Sequence, residues 1–168
     1  MPYELLQPRP SGRERKRIAA RIAALKERPW EQLTESQRLF LLTPEAQEFA
    51  RKILGEMVLR GFDVKLGETW RSPQGQKEAF EKGRSGYSEP AWHSLGKAFH
   101  VIAIEPATGK LDTSAYPILG KIVRSHDGIW KGDVPLRNKY GGIYYDIAHV
   151  EYHPGVTLAQ ARKITRPV

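Results

Sequence analysis

The chain has no cysteine. That removes disulfides, thiolate metal sites and cysteine nucleophiles together, and leaves His, Asp and Glu as the only strong ligands for a metal. Asparagine occurs once, at Asn138, and methionine twice, a scarcity of thermolabile residues that fits a heat-stable host. Long hydrophobic runs are missing as well: no stretch approaches the roughly 20 apolar residues of a membrane span. The opening MPYELLQPRP has no basic-then-apolar leader pattern. These absences give the expectation of a protein made and kept in the cytosol unless something else releases it. There is no His-Glu-x-x-His sequence, which excludes the commonest helix-borne zinc-protease signature.

What is present suffices for one domain-sized core: 168 residues, 40% of them hydrophobic. Lys and Arg number 27 against 19 Asp and Glu, a net charge of +8 and a pI of about 9.8. A nucleic acid, a lipid surface and an anionic cell wall all suit such a charge, which alone does not choose among them.

Residues 1–12 hold three prolines and a glycine and are expected to form a loose arm. Ile18, Ile22 and Leu25 share one face of a helix over 13–28, with Arg and Lys around them. That pattern suits a helix docked on the core, or an electrostatic foot for an anionic polymer. Thr43-Pro44-Glu45 is a helix start, and Gly61 ends that helix. A strand follows over 62–70, then a helix over 73–82 opened by Ser72-Pro73. Residues 83–90 read as loop, 98–104 as a buried strand and 105–110 as a turn. A helix over 114–125 leads into a loop-rich stretch at 127–142. A strand over 143–152 and a short helix over 157–163 close the chain. With no repeat and no regular βαβ rhythm, the expected class is α+β, a small, mainly antiparallel sheet flanked by helices. Residues 1–35 are expected to be a basic arm and helix packed on a main domain of 36–168.

Chemistry concentrates in two short segments. His93 precedes the 98–104 strand and His100 lies inside it, with Gly96 between them where the chain can turn. In Asp146-Ile147-Ala148-His149-Val150-Glu151-Tyr152-His153, a strand's period of two puts His149, Glu151 and His153 on one face. Three imidazoles from two segments meet the needs of a catalytic zinc site, which uses three protein ligands and leaves a fourth position open. A nearby carboxylate that does not bind the metal can act as general base, and Asp146 is the candidate. Spacing alone supports no more than a His-rich metal site. His126 reads as a surface residue. Trp70, Trp92 and Trp130 flank the motifs, either as core or as lining of a cleft.

Taken in order, these segments resemble the zinc peptidases of the D-alanyl-D-alanine carboxypeptidase and phage L-alanyl-D-glutamate endopeptidase family. Its first motif, Ser-x-His-x-x-Gly-x-Ala-x-Asp, is matched over Ala91–His100 at His93, Gly96 and Ala98. Its second, Asp/Glu-x-x-His, is matched by Asp146 and His149, with Glu151 following. Upstream, Arg71-Ser72 and Gln76 match, and Gly83 fits the family's helix-ending glycine. The resemblance covers roughly residues 40–153. It implies a zinc cleft on the sheet of a lysostaphin/D-Ala-D-Ala/hedgehog-like fold. His93, His100 and His149 would be zinc ligands and Asp146 the general base. Arg71 would be an electrophile or anchor near the scissile carbonyl, and Ser72 and Gln76 candidates for binding substrate. His153, outside the motif but on the face of His149, is assigned to the substrate rim or to support of a ligand, and Glu151 to orienting its neighbours.

Two positions depart from the family pattern. Ala91 replaces its Ser, and His100 replaces its zinc-binding Asp. A site of three neutral imidazoles carries one more unit of positive charge than one with an aspartate, which makes the metal a stronger Lewis acid. An active three-histidine enzyme, an altered metal preference and an inactive site all stay open. The expectation is a monomeric, phage-type lysin, a zinc peptidase of peptidoglycan stem peptides with L-alanyl-D-glutamate endopeptidase activity, with no stable nucleic-acid partner and no membrane insertion. It would be held in the host cytoplasm until lysis and then reach the wall. A D-alanyl-D-alanine carboxypeptidase, a catalytically inactive wall-binding domain and a basic nucleic-acid-binding protein are the alternatives.

Overall fold

The computed structural model describes residues 11–164; nearly all of the expected N-terminal arm lies outside them. The first helix, α1 (Gly12–Lys26), opens on a capping box in which the Ser11 hydroxyl accepts from the Glu14 amide and the Glu14 carboxylate accepts from the Ser11 amide. It docks through its last turns only. Leu25 is buried with Leu33 and Leu41, and Ile22, Phe40 and Trp70 pack around them, whereas Ile18 is 41% exposed. A helix not foreseen in the sequence, α2 (Glu35–Phe40), follows with its own capping box between Thr34 and Gln37. Next comes α3 (Pro44–Leu59), capped by Thr43.

Six strands are described: β1 (Asp63–Leu66), β2 (Ala98–Ile104), β3 (Ile129–Trp130), β4 (Leu136–Arg137), β5 (Ile143–Tyr144) and β6 (His149–Glu151). Three helices complete the fold, α4 (Pro73–Glu81), α5 (Ala115–Ser125) and α6 (Leu158–Ile164). The main sheet has the order β1-β2-β6-β3 with antiparallel neighbours, and β4 and β5 form a separate hairpin. The class is the α+β arrangement expected from the sequence.

Alternation along β2 sets the two faces of the sheet. Phe99, Val101 and Ala103, with Val150 of β6, join the core formed by Ala46, Phe49, Ile53 and Met57 of α3 and Tyr116, Leu119 and Val123 of α5. Burying side chains such as Phe99 and Ile53 contributes about 1.5–3 kcal/mol each. His100, His149 and Glu151 take the alternate positions, so they fall on the face turned away from α3 and α5.

Two expectations need correction and a third needs detail. The strand expected over 143–152 is two strands, because the chain turns between them: the His149 amide donates to the Asp146 carbonyl over 3.1 Å. The strand expected over 62–70 ends at Leu66; beyond it the Gly67 amide donates to the His100 carbonyl and the Glu68 carbonyl accepts from the His100 amide. The stretch 127–142 is loop-rich as expected, with two short strands within it. It holds β3, whose Trp130 stands opposite Val150, and β4.

Gly96 ties the site to the scaffold. It has φ +67°, its carbonyl accepts from the Thr43 amide over 2.9 Å, and a Cβ there would lie 2.9 Å from the Leu41 carbonyl oxygen. Gly109 has the same φ, yet a Cβ there would meet nothing within 4 Å. Gly109→Ala is therefore expected to cost only the left-handed strain, about 1 kcal/mol. Gly96→Ala must also push α3's entry aside and is expected to cost about 2–3 kcal/mol, lowering the thermal midpoint by roughly 4–10 °C. Equal midpoints for the two variants would show that the approach to Leu41 carries no cost.

Candidate metal centre and its cleft

Each of the three histidines arrives by a different device. His93 sits in a one-turn 3-10 helix, Trp92–Leu95, that Gly96 closes in the left-handed conformation. His100 is in the middle of β2, and His149 begins β6 directly opposite it in the antiparallel register. His93 Nε2 lies 3.3 Å from His100 Nε2 and 3.2 Å from His149 Nδ1, and the three nitrogens lie within 4.8 Å of one another. Zinc–nitrogen bonds of about 2.0–2.1 Å in a tetrahedron place neighbouring nitrogens roughly 3.3–3.4 Å apart, which the two distances from His93 match. Imidazole donors alone also suit copper, nickel and iron.

The environment favours the neutral, metal-binding form of two of these rings, His93 and His149. Burial, then the neighbouring His100, His149 and Arg71, pushes the His93 pKa well below its usual value. Burial likewise lowers His149, against the opposing effect of its hydrogen bond to Glu151. His149 Nε2 lies 2.9 Å from Glu151 Oε1. A carboxylate only accepts, so that nitrogen carries the hydrogen and Nδ1 presents a bare lone pair toward His93. His93 has no such partner among the described residues: its Nδ1 is buried without a hydrogen bond, and packing holds the ring together with the contacts of its Nε2.

Glu151 is the centre of the support. It is buried, and its second oxygen lies 2.8 Å from His153 Nε2. Lys131 Nζ lies 3.4 Å from its first oxygen. Burial alone would raise this carboxyl; the contacts with His149 and His153, with Lys131 nearby, hold it at about 2. The His153 ring stacks on Trp92 with centroids 3.5 Å apart, and its Nδ1 faces the Val156 carbonyl. The structure thus places His153 behind Glu151, among residues that support the centre.

Asp146 borders the same centre, with Oδ2 3.5 Å from His100 Nε2 and 3.8 Å from His149 Nδ1. Burial would raise its pKa, but the adjacent His100, His149 and Arg71 outweigh it and leave the carboxyl below its ordinary value. It is ionised at neutral pH. Arg71 is held as a fork: Nε and Nη2 donate to the two Glu68 oxygens over 2.5 and 2.9 Å, and Nη1 donates to Gln76 Oε1 over 3.2 Å. Gln76 is buried, and its amide nitrogen donates to the Ser85 hydroxyl and the Tyr87 carbonyl. Its polar atoms brace Arg71 and the 85–87 loop. Ser72 caps α4, its hydroxyl accepting from the Gly75 amide over 2.9 Å. His126 lies away from the centre and pairs with Glu56.

The three histidines, Asp146 and Arg71 all line one cleft of about 950 Å³. A solved structure with this fold is ChiX, the L-Ala D-Glu endopeptidase of Serratia marcescens. It aligns with a TM-score of 0.53 at 20% identity, covering 71% of this chain and 86% of its own. No protein-family model and no curated protein matches the sequence. At that identity the likeness is one of fold.

Sequence reasoning missed Glu68, Lys131 and the stacking of His153 on Trp92. Glu68 could have been suspected as an acid three residues before Arg71; the other two are long-range contacts with no local signal.

Two outcomes follow for the centre. Glu151→Gln is expected to reduce metal affinity roughly 10- to 100-fold, because the amide no longer dictates the His149 tautomer; titration with a competing chelator measures it. The lowered His93 and His149 pKa values also set a pH dependence. The folded protein binds fewer protons than the unfolded chain once pH falls below about 6.5, the free imidazole value. Metal-free stability is therefore expected to be full above that pH and to decline as pH falls through 6.5 toward the folded values. Chemical denaturation at a series of pH values checks this; stability that rises on acidification through that window contradicts it.

Proposed function

We propose that the chain is a zinc metallopeptidase that hydrolyses stem peptides of bacterial peptidoglycan. The L-alanyl-D-glutamate bond is the first assignment and the D-alanyl-D-alanine bond the second. The observation that carries this reading is the convergence of three imidazole nitrogens beside an ionised aspartate in a cleft. The shared fold with an L-Ala D-Glu endopeptidase and the ordered motifs support it.

His93, His100 and His149 would hold the zinc. Zinc, when bound, supplies a Lewis acid that polarises an amide carbonyl and acidifies water. Asp146, ionised and next to two of the ligand rings, is the group placed to accept a proton and return it to the departing amine. Glu68 and Gln76 occupy three of Arg71's five N–H groups, leaving two to donate to a developing oxyanion or to grip a substrate carboxylate. Because its fork is already held, little rotamer freedom is lost when substrate arrives. Glu151 keeps His149 oriented and Lys131 balances that buried charge.

In this reading residues 36–168 form the peptidase domain, and residues 1–35 an appended basic arm and helix. None of the described helices is long and apolar enough to cross a membrane. A phage-type lysin would collect in the host cytoplasm and meet the wall once the membrane is breached, and its net charge of +8 would favour contact with an anionic wall.

The test is digestion of purified peptidoglycan by wild type and Asp146→Asn, with mass-spectrometric mapping of the products. Wild type is expected to release new amino termini at one bond, which names the activity. Asp146→Asn is expected to retain stoichiometric metal and lose roughly 10²- to 10⁴-fold in rate. A metal-replete wild type that releases nothing would end the peptidase reading. An unimpaired Asp146→Asn would place the base elsewhere.

A further inference from the structure

Six basic side chains line the cleft: Lys26, Arg28, Arg71, Arg84, Lys131 and Arg137. Arg71 and Lys131 are ion-paired, with Glu68 and Glu151. Lys26, Arg28, Arg84 and Arg137 have no carboxylate partner among the described residues, and of these four only Lys26 lies over an aromatic ring. It stands in the last turn of α1, half-buried, with Nζ 4.9 Å from the centre of the Trp70 ring. Burial lowers its pKa. An ammonium taken partly out of water, with an aromatic face beneath it and no anion beside it, is incompletely compensated.

Its place in the cleft gives that feature a meaning. Trp70 is followed directly by Arg71, whose amide donates to the His93 carbonyl over 3.4 Å. The backbone therefore steps from a candidate metal ligand to Arg71, then to Trp70, then across to Lys26. The cleft lining also carries as many acidic as basic side chains, with Glu27, Glu31, Glu68 and Glu78 among them. A balanced lining offers a polyanion no net attraction, whereas one compact carboxylate can meet Lys26 locally.

We propose that Lys26 and Trp70 form a carboxylate-binding subsite beside Arg71, so that the cleft selects peptides with a free carboxylate near the bond to be cut. The basic N-terminal helix thereby becomes one wall of the substrate site. This rests on the peptidase reading above and adds a specificity residue to it.

The test compares L-alanyl-γ-D-glutamyl-L-lysine with its D-isoglutamine counterpart, in which an amide of the same shape replaces the glutamyl α-carboxylate. Both are assayed on the zinc-loaded full chain and on Lys26→Met, which keeps an unbranched stem over Trp70. Wild type is expected to favour the acid about ten-fold in kcat/KM, mostly through KM, as a charge-assisted contact warrants. Lys26→Met is expected to bring that ratio near one, and Lys26→Arg to restore most of it. A ratio that Lys26→Met leaves intact, or a wild type indifferent to the amide, overturns the subsite while cleavage itself upholds the peptidase. If neither peptide is cut, calorimetric titration separates the two ideas. Tighter binding of the acid by wild type and not by Lys26→Met upholds the subsite and counts against the peptidase, and absence of binding to either peptide overturns the subsite.

Discussion

His100 and His149 stand directly opposite each other on antiparallel strands, and the chemistry of the cleft depends on that register. Cross-strand partners hold their Cβ atoms about 4.5–5.5 Å apart; here the two rings have centroids 5.3 Å apart, close enough to share an ion. Nothing in the imidazoles themselves enforces the pairing. Phe99, Val101 and Val150 do, because each has a place in the core against α3 and α5. A slip of one residue would turn Phe99 or Val150 toward the cleft and drive a histidine into apolar packing. The hydrophobic core is thus what aligns two of the three candidate ligands.

The third ligand and the support network close a ring around this pair. His93 is delivered by the turn that Gly96 locks against the entry of α3. Its neighbour Trp92 stacks on His153, which meets Glu151, which meets His149, whose other nitrogen faces His93. Each member therefore constrains the next, and the ring returns to the residue where it began. This arrangement accounts for Glu151 as a buried carboxylate: an isolated charge there would be costly, whereas two imidazoles and Lys131 compensate it.

Much of this was legible in the sequence, for a physical reason. Period-two alternation placed His149, Glu151 and His153 together even though β6 is only three residues long, since side-chain alternation persists where ladder hydrogen bonds stop. The caps at Thr43 and Ser72 marked their helices because Ser and Thr satisfy amides locally. What escaped were features fixed by distant partners. The break at 145–148 separates β5, which pairs with β4, from β6, which pairs with β2 and β3. Gln76, read from its motif as a candidate to contact substrate, spends its amide on Ser85 and Tyr87, 9 and 11 residues away. A motif fixes which residue stands at a position; the surrounding packing decides which way its hydrogen bonds go.

The charge distribution separates attraction from chemistry. The cleft lining is balanced between acidic and basic side chains, so the chain's excess of positive charge must lie elsewhere. Six cations and one carboxylate fall within α1, whose first turns are exposed. Such a surface acts over about a Debye length, roughly 8–10 Å at moderate ionic strength, and needs no shape complementarity. The cleft works by contact, through paired or partly buried groups that salt screens little. On the proposed reading, a wall polymer would therefore meet α1 as a uniform field, while a stem peptide would be sorted residue by residue inside the cleft. Lys26 lies where the two regimes join: its backbone belongs to the basic helix, yet its ammonium rests on the aromatic floor of the cleft.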